Sequence, residues 1–318
     1  MNLAWQMLLG WGVLAIIWLA AMPSDTRGKS WHYVHVLIPF AVMIVFSALP
    51  DGSLRDVLKV WFAAGVVILI GLLVTWALGT ARQNHGIMDV AYTLLVLSTA
   101  GFMAYRFRAN FSWWSALLLA ITAVWALRLS VQTFGQNIAR EREPYATWRR
   151  RGGRRWIWWS FFQIQALQGV LIWIWSLPFA FAFGTHSPQP LLLAAVGFVV
   201  WLIGFLFQTI ADVQLKRFKD DAANRGKLLT TGAWSVTRQP NYFGEAVMWW
   251  GYFVFALAHP FGLLALVSPA YVTWFMGYGS AGRFKEMHMS RTRPEAWANY
   301  VATTPRFFPW PRRRDIRG

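Results

Sequence analysis

Residues 57–79 read VLKVWFAAGVVILIGLLVTWALG, an apolar run in which Lys59 is the one charged residue. A helix rises about 1.5 Å per residue, so a run of this length matches the roughly 30 Å hydrocarbon core of a bilayer. Inside a bilayer no water is available to bond with an open backbone, and this favours a helix over any unpaired strand. The stretch therefore predicts a membrane-spanning helix.

The composition extends this prediction to the whole chain. Of its 318 residues, 57% are hydrophobic and only 14% are charged, whereas a soluble domain carries about 25% charged residues. We predict spans at about 3–22, 34–49, 57–79, 87–105, 112–132, 157–183, 190–212, 243–258 and 260–279. The sequence thus predicts an all-α fold, a polytopic integral membrane helix bundle with about nine transmembrane helices.

The positive charge of the chain is concentrated between the apolar runs. The formal net charge is +17, and Lys and Arg cluster in 133–156, in 213–242 and in the tail from Arg283. Because basic loops stay on the cytoplasmic side, we expect the N-terminus outside and the C-terminus in the cytoplasm. Contacts with membrane lipids account for this charge, so we predict no nucleic-acid partner. The chain has no cysteine, and we predict no metal site.

Three ionisable or polar residues lie in the fourth and fifth predicted spans. Asp89 and Tyr92 are three residues apart and share a helix face, and Arg128 lies near the end of the fifth span. One interpretation is a structural ion pair between Asp89 and Arg128. The other is a catalytic set that donates a hydrogen bond to a substrate carbonyl, since burial favours a protonated carboxyl group.

A second polar set surrounds the start of the eighth span. Gln208 and Asp212 are four residues apart, as are Asn241 and Glu245, so each pair shares a helix face. Pro240 suits the first turn of a helix, whose free N–H groups attract anions. The candidate cofactor-binding residues are Gln208, Asp212, Lys219, Asn224, Arg225, Arg238, Asn241, Tyr242, Glu245 and Glu286. A solvated helix end and an amphipathic tail on the membrane surface are the alternatives.

Several short stretches, taken together, resemble the membrane steroid 5α-reductase family in its bacterial branch. They are Asp89-Val90-Ala91, Trp125-Ala126-Leu127-Arg128-Leu129, Phe162-x-x-Gln165, Ala211-Asp212-Val213-Gln214-Leu215-Lys216-Arg217-Phe218, Asn224-Arg225-Gly226-Lys227, Thr231-Gly232-Ala233-Trp234, Arg238-x-Pro240-Asn241-Tyr242-x-Gly244-Glu245 and Trp249-Trp250-Gly251. The resemblance covers about residues 57–310. It implies a seven-helix core in 57–318, preceded in 1–56 by an extra pair of transmembrane helices.

The resemblance also implies an activity. Members of that family bind NADPH from the cytoplasmic side and reduce a conjugated C=C bond in a lipid-like enone of the sterol or isoprenoid type. Asp89 stands where the family has the acid that binds the substrate carbonyl, while Trp125 stands near the position of the family's tyrosine. A hydrophobic lipid-like substrate and a place in the bacterial inner membrane follow as expectations.

Two other functions remain open from the residues. Membrane isoprenylcysteine methyltransferases carry a stretch similar to Arg238-x-Pro240-Asn241-Tyr242, which allows an enzyme that uses S-adenosylmethionine. A lipid-binding or scaffold protein that has kept the fold is the third possibility. The oligomeric state, the substrate and the choice between NADPH and NADH are not determined by the sequence.

Overall fold

The computed structural model describes residues 3–27, 29–185 and 190–311, and the regular structure within these ranges is helical. The α-helices are α1 (Leu3–Ala21), α2 (Ser30–Ala48), α3 (Ser53–Ala81), α4 (Ile87–Arg106), α5 (Trp113–Asn137), α6 (Tyr145–Gly152), α7 (Trp156–Ser160), α8 (Leu167–Trp175), α9 (Leu177–Phe183), α10 (Leu191–Asp220), α11 (Ala233–Val236), α12 (Pro240–Ala256), α13 (Val267–Tyr278), α14 (Ser280–Thr292) and α15 (Pro294–Thr303). A π-helical turn, Phe161–Ala166, joins α7 to α8.

The prediction of an all-α membrane helix bundle is confirmed. Within the described ranges, six helical stretches are long and apolar enough to cross a bilayer: Ser30–Ala48, Ser53–Ala81, Ile87–Arg106, Trp113–Asn137, Tyr145–Phe183 and Leu191–Asp220. Nine spans were expected. The difference arises at the two ends of the series, where the apolar helices are shorter: Gln6–Ala21 and Gly262–Tyr278 have 10–17 residues, and α12 has 17.

The chain divides into two compact units, Met1–Gly184 and Thr185–Gly318. In the first unit, Trp61 on α3 and Trp173 on α8 stack with ring centroids 4.0 Å apart. Each indole N–H also donates to the backbone carbonyl of the other tryptophan, at 2.8 and 3.3 Å. Such paired bonds satisfy donors that lipid cannot. The predicted boundary between residues 56 and 57 stays a prediction.

The N-terminal helices are tied to the π-helical turn. His32 on α2 is buried, accepts a bond from the indole N–H of Trp18 on α1 at 3.2 Å, and lies 3.1 Å from Oε1 of Gln163. This histidine therefore has a structural role between two helices. Elsewhere the flanks of the helices expose large apolar side chains, such as Ile16, Leu37, and Leu192 in the second unit, as expected of surfaces that face lipid.

Candidate functional site

In the second unit, glycines on the facing sides of α10 and α12 allow the two helices to pack in close contact. Gly197 and Gly204 on α10 are seven residues apart, as are Gly244 and Gly251 on α12. A Cβ at Gly244 would lie 2.5 Å from the amide nitrogen of Gln208 and 2.6 Å from the carbonyl oxygen of Gly204. Only glycine permits this approach, and small residues serve the same purpose in many membrane helix pairs. Short polar side chains can therefore meet across the two helices.

Four of the predicted cofactor-binding residues form two hydrogen-bonded pairs beside these glycines. Nε2 of Gln208 donates to Oε2 of Glu245 at 3.0 Å. One turn along, Nδ2 of Asn241 donates to Oδ1 of Asp212 at 3.1 Å. Gln208, Asp212 and Glu245 are buried, and Asn241 is partly exposed. The spacing of four residues places each pair on one helix face, as the sequence predicts, and the contact between α10 and α12 brings the two pairs together.

The C-terminal tail is bound to the segment that leads into α12. The backbone N–H of Arg238 donates to the carbonyl oxygen of Pro305 at 3.0 Å. The hydroxyl of Thr237 donates to the carbonyl oxygen of Phe307 at 2.8 Å, and that of Tyr300 donates to the carbonyl oxygen of Trp234 at 2.5 Å. These bonds fix residues 300–307 against the start of α12. This part of the tail is therefore packed against the segment that leads into α12.

Arg238 and Glu286, both predicted site residues, meet in this region. Nη2 of Arg238 lies 3.3 Å from Oε1 of Glu286, and Nε of Arg306 lies 3.6 Å from Oε2 of the same carboxylate. The guanidinium of Arg238 also lies over the ring of Trp297, 5.4 Å from its centroid. Burial lowers the pKa of Arg238 from its usual value, Glu286 opposes this shift, and Arg306 adds to it. Two guanidinium groups therefore share one carboxylate.

A cavity of about 270 Å³ opens beside these arginines. Its lining comprises Arg238, Val301, Ala302, Thr303, Thr304, Pro305, Arg306, Trp310 and Pro311. Among the described residues, buried polar atoms of the lining that lack a hydrogen-bond partner include Nε of Arg238, Oγ1 of Thr304, and Nε and Nη2 of Arg306. Buried donors of this kind are costly unless a ligand or water accepts from them. The sequence reasoning missed Thr304 and Arg306.

The other predicted cofactor-binding residues lie in two further places. Tyr242 contacts the tail, since Nζ of Lys285 lies 3.9 Å from the centroid of its ring. Lys219 and Arg225 are exposed at the end of α10 and just after it. The amide of Asn224 closes that end locally by donating to the carbonyl oxygen of Phe218 at 3.2 Å. Their roles in binding stay predictions.

In the first unit, Asp89 accepts two hydrogen bonds at the start of α4. The hydroxyl of Tyr145 donates to Oδ1 at 2.5 Å, and Nδ2 of Asn137 donates to Oδ2 at 3.0 Å. The predicted partners of Asp89 have contacts of their own. Tyr92 packs edge-on against Trp125 with ring centroids 6.1 Å apart, and Nη2 of Arg128 donates to Oε1 of Gln132 at 3.0 Å. The catalytic roles of Asp89, Tyr92 and Arg128 stay predictions.

A buried cluster supports the loop that leads into α4. The backbone N–H of His85 donates to Oε1 of Glu141 at 2.8 Å, and Glu141 accepts two bonds from Arg149, at 2.7 and 2.9 Å. Asn84 reaches the carbonyl oxygen of Asn137 at 2.6 Å. Burial lowers the pKa of His85 from 6.5 to about 4, Arg149 adds to the shift and Glu141 opposes it. This histidine is therefore neutral at pH 7.

The described ranges contain no cluster of metal-ligating side chains. Among those residues, no group of three or more His, Asp or Glu side chains lies close enough to hold an ion. The prediction that the protein has no metal site stays a prediction.

Comparison with known proteins adds a family. The family model described as "Protein of unknown function (DUF1295)" matches residues 75–304. A curated relative, "Probable O-methyltransferase ustE" of Ustilaginoidea virens, is 35% identical over 48 residues, which is 15% of this chain. The match spans only 17% of the length of that relative. No solved structure matches the chain. Since the family model covers well over half of the chain, this integral membrane protein belongs to the DUF1295 family, which is related to the membrane steroid 5α-reductases.

Proposed function

We propose that the protein is an NADPH-dependent reductase that reduces a conjugated C=C bond in a lipid-like enone of the sterol or isoprenoid type. The observation that carries the proposal is the polar end of α12, where Asp212, Asn241 and Glu245 lie within one unit with Arg238 and Glu286. Buried polar groups of this kind in a membrane protein are costly and usually functional.

The residue types at this end of α12 suit the parts of a dinucleotide. Carboxylates such as Asp212 and Glu245 accept bonds from ribose hydroxyls or from a carboxamide, and the amide of Asn241 can donate as well as accept. Guanidinium groups bind phosphate oxygens with paired N–H donors. The positive end of the α12 macrodipole adds positive potential. When bound, the nicotinamide would supply hydride to the β-carbon of the enone.

In the first unit, Asp89 and Tyr145 offer the chemistry that an enone carbonyl needs. A hydrogen bond to the carbonyl oxygen withdraws electron density and makes the β-carbon a better acceptor. The hydroxyl oxygen of Tyr145 lies 2.5 Å from Oδ1 of Asp89, so Tyr145 can orient a protonated Asp89 carboxyl group as the donor to a carbonyl. We propose that Asp89 binds the carbonyl with Tyr92 or Arg128, and that Tyr145 positions Asp89.

Binding of the cofactor is the direct test. The full chain would be purified in lipid nanodiscs and titrated with NADPH, while energy transfer from tryptophan to the nicotinamide is recorded. We expect Glu245→Gln and Asn241→Ala to lose binding while melting as a folded protein. Asp220→Asn is the matched control, because Asp220 is an exposed carboxylate on α10 that pairs with Lys216. Equal NADPH affinity in all three variants would contradict the proposal.

A second candidate is a methyltransferase that uses S-adenosylmethionine, and the short match to a probable O-methyltransferase favours it. S-adenosylmethionine has one carboxylate and no phosphate, so it leaves the arginine pair without a phosphate partner. For this reason we prefer the reductase. Thermal unfolding of the same preparation with NADPH or with S-adenosylmethionine separates the two, since a bound ligand raises the melting temperature. A lipid-binding scaffold would respond to neither.

We also propose that the protein lies in the bacterial inner membrane with its C-terminus in the cytoplasm. The basic segments 133–156 and 213–242 support this orientation. Reporter fusions after residue 311 should be active as cytoplasmic green fluorescent protein and inactive as periplasmic alkaline phosphatase. The reverse pattern would overturn the orientation.

A further inference from the structure

We propose that the cavity lined by Arg238, Thr304 and Arg306 binds a phosphate monoester. Nothing in the family comparison assigns a ligand to this cavity, and Thr304 and Arg306 carry no recognisable motif. The cavity belongs wholly to the second unit and has a volume of about 270 Å³.

The charge around the cavity calls for an anion. Arg238 and Arg306 both contact the carboxylate of Glu286, which neutralises only one of the two guanidinium groups. Among the described residues, one positive charge is therefore left without a paired carboxylate. The place is largely buried, since the side chain of Arg238 is only 10% exposed.

The hydrogen-bond donors around the cavity point to the same conclusion. Nε of Arg238 and Nη2 of Arg306 are buried and bond to no acceptor in the described part of the chain, while Nε of Arg306 has only its 3.6 Å contact with Glu286. Thr304 is 3% exposed and lines the cavity, and its hydroxyl likewise has no partner. Guanidinium forks match the geometry of phosphate oxygens better than an ammonium group does. Three donor groups around one cavity suit the several oxygens of a phosphate monoester, which carries about −1.5 to −2 charges at pH 7.

The phosphate could belong to two sources. One is the 2′-phosphate of the adenosine ribose in NADPH, and in that case the inference rests on the proposed function and explains a preference for NADPH over NADH. The other is the headgroup of an anionic lipid such as phosphatidic acid. Both present the same chemical group, and binding experiments on the full chain distinguish them.

The experiment uses the full chain in a neutral detergent and measures binding by thermophoresis. The soluble probes are inorganic phosphate, 2′-AMP, adenosine, NADPH and NADH, and the lipid probe is a nanodisc that contains phosphatidic acid. We expect 2′-AMP to bind at least about tenfold more tightly than adenosine, the factor that one charge-assisted hydrogen bond contributes. Inorganic phosphate should compete with 2′-AMP.

Two variants and one control locate the site. Arg306→Gln should remove the advantage of 2′-AMP over adenosine, whereas Arg291→Gln removes the same charge from an exposed position on α14 and should change nothing. If Arg306→Gln fails to fold, Thr304→Val tests the same cavity with a side chain of similar size. A tenfold or greater loss of 2′-AMP affinity in Arg306→Gln or in Thr304→Val, with no loss in Arg291→Gln, supports the site.

The outcomes also separate this inference from the reductase proposal. If NADPH does not bind but phosphatidic acid and inorganic phosphate compete for the cavity, the phosphate site stands and the reductase fails. If NADPH and NADH bind equally in wild type and in Arg306→Gln, and phosphatidic acid does not bind, the cofactor site stands and the phosphate site is overturned. Absence of binding by phosphate, 2′-AMP and phosphatidic acid also overturns it.

Discussion

Replacing Gly244 by alanine should open the contact between α10 and α12 and disable the proposed cofactor site. The new methyl group would lie 2.5 Å from the amide nitrogen of Gln208 and 2.6 Å from the carbonyl oxygen of Gly204. Non-bonded atoms settle at about 3.5 Å, so the helices must separate by about 1 Å. Both neighbours are backbone atoms and cannot turn aside as a side chain could.

The expected loss of binding follows from the lengths of the two hydrogen bonds between α10 and α12. The bond from Gln208 to Glu245 is 3.0 Å long, and the bond from Asn241 to Asp212 is 3.1 Å long. A separation of about 1 Å takes both beyond hydrogen-bond distance. Overpacking itself costs about 1–3 kcal/mol, and loss of a bond to a charged group adds about 1.5–3 kcal/mol. We expect a destabilisation of several kcal/mol together with loss of NADPH binding.

The assay is unfolding in mixed micelles, followed by tryptophan fluorescence, with NADPH titration of the folded fraction. Gly101→Ala on α4 is the matched control, because a Cβ there would meet nothing within 4 Å. The control should equal wild type or gain up to about 1 kcal/mol, since glycine weakens a helix interior. If Gly244→Ala is as stable as Gly101→Ala and binds NADPH equally, the close approach of α10 and α12 does not support the site.

Three further predictions concern the first unit. The folded pKa of His85 is about 4 against 6.5 when exposed, so the unfolded chain takes up the proton first. His85 should therefore contribute about 3 kcal/mol to the stability lost between pH 7 and pH 4 in melting curves, and His85→Gln should remove that share of the loss. Tyr145→Phe removes the 2.5 Å hydrogen bond to Asp89. It should cost about 1.5–3 kcal/mol of stability in unfolding titrations and should lower enone turnover. Unchanged stability and unchanged turnover would refute a positioning role for Tyr145. Arg149→Gln removes the counter-charge of the buried Glu141 carboxylate and should cost about 3 kcal/mol. Arg150→Gln breaks an exposed ion pair and should cost under about 1 kcal/mol in the same titrations.

Local periodicity explains why part of the site was predictable. A residue and its neighbour four positions on share a helix face whatever the rest of the chain does. Gln208 therefore aligns with Asp212, and Asn241 with Glu245, before any tertiary contact forms. The spacing of the glycines on α10 and α12 was also present in the sequence and could have indicated which faces meet, although the sequence reasoning did not use it.

The membrane fold and the pairing within each helix were determined by the sequence alone, since hydrophobic length and helical period act over neighbouring residues. Partners far apart in the chain were decided only by the tertiary structure. Tyr145 reaches Asp89 from 56 positions away, and the tail brings Arg306 to Arg238 through backbone bonds of residues 300–307. No local pattern encodes such contacts, because they depend on how whole helices and the tail pack together.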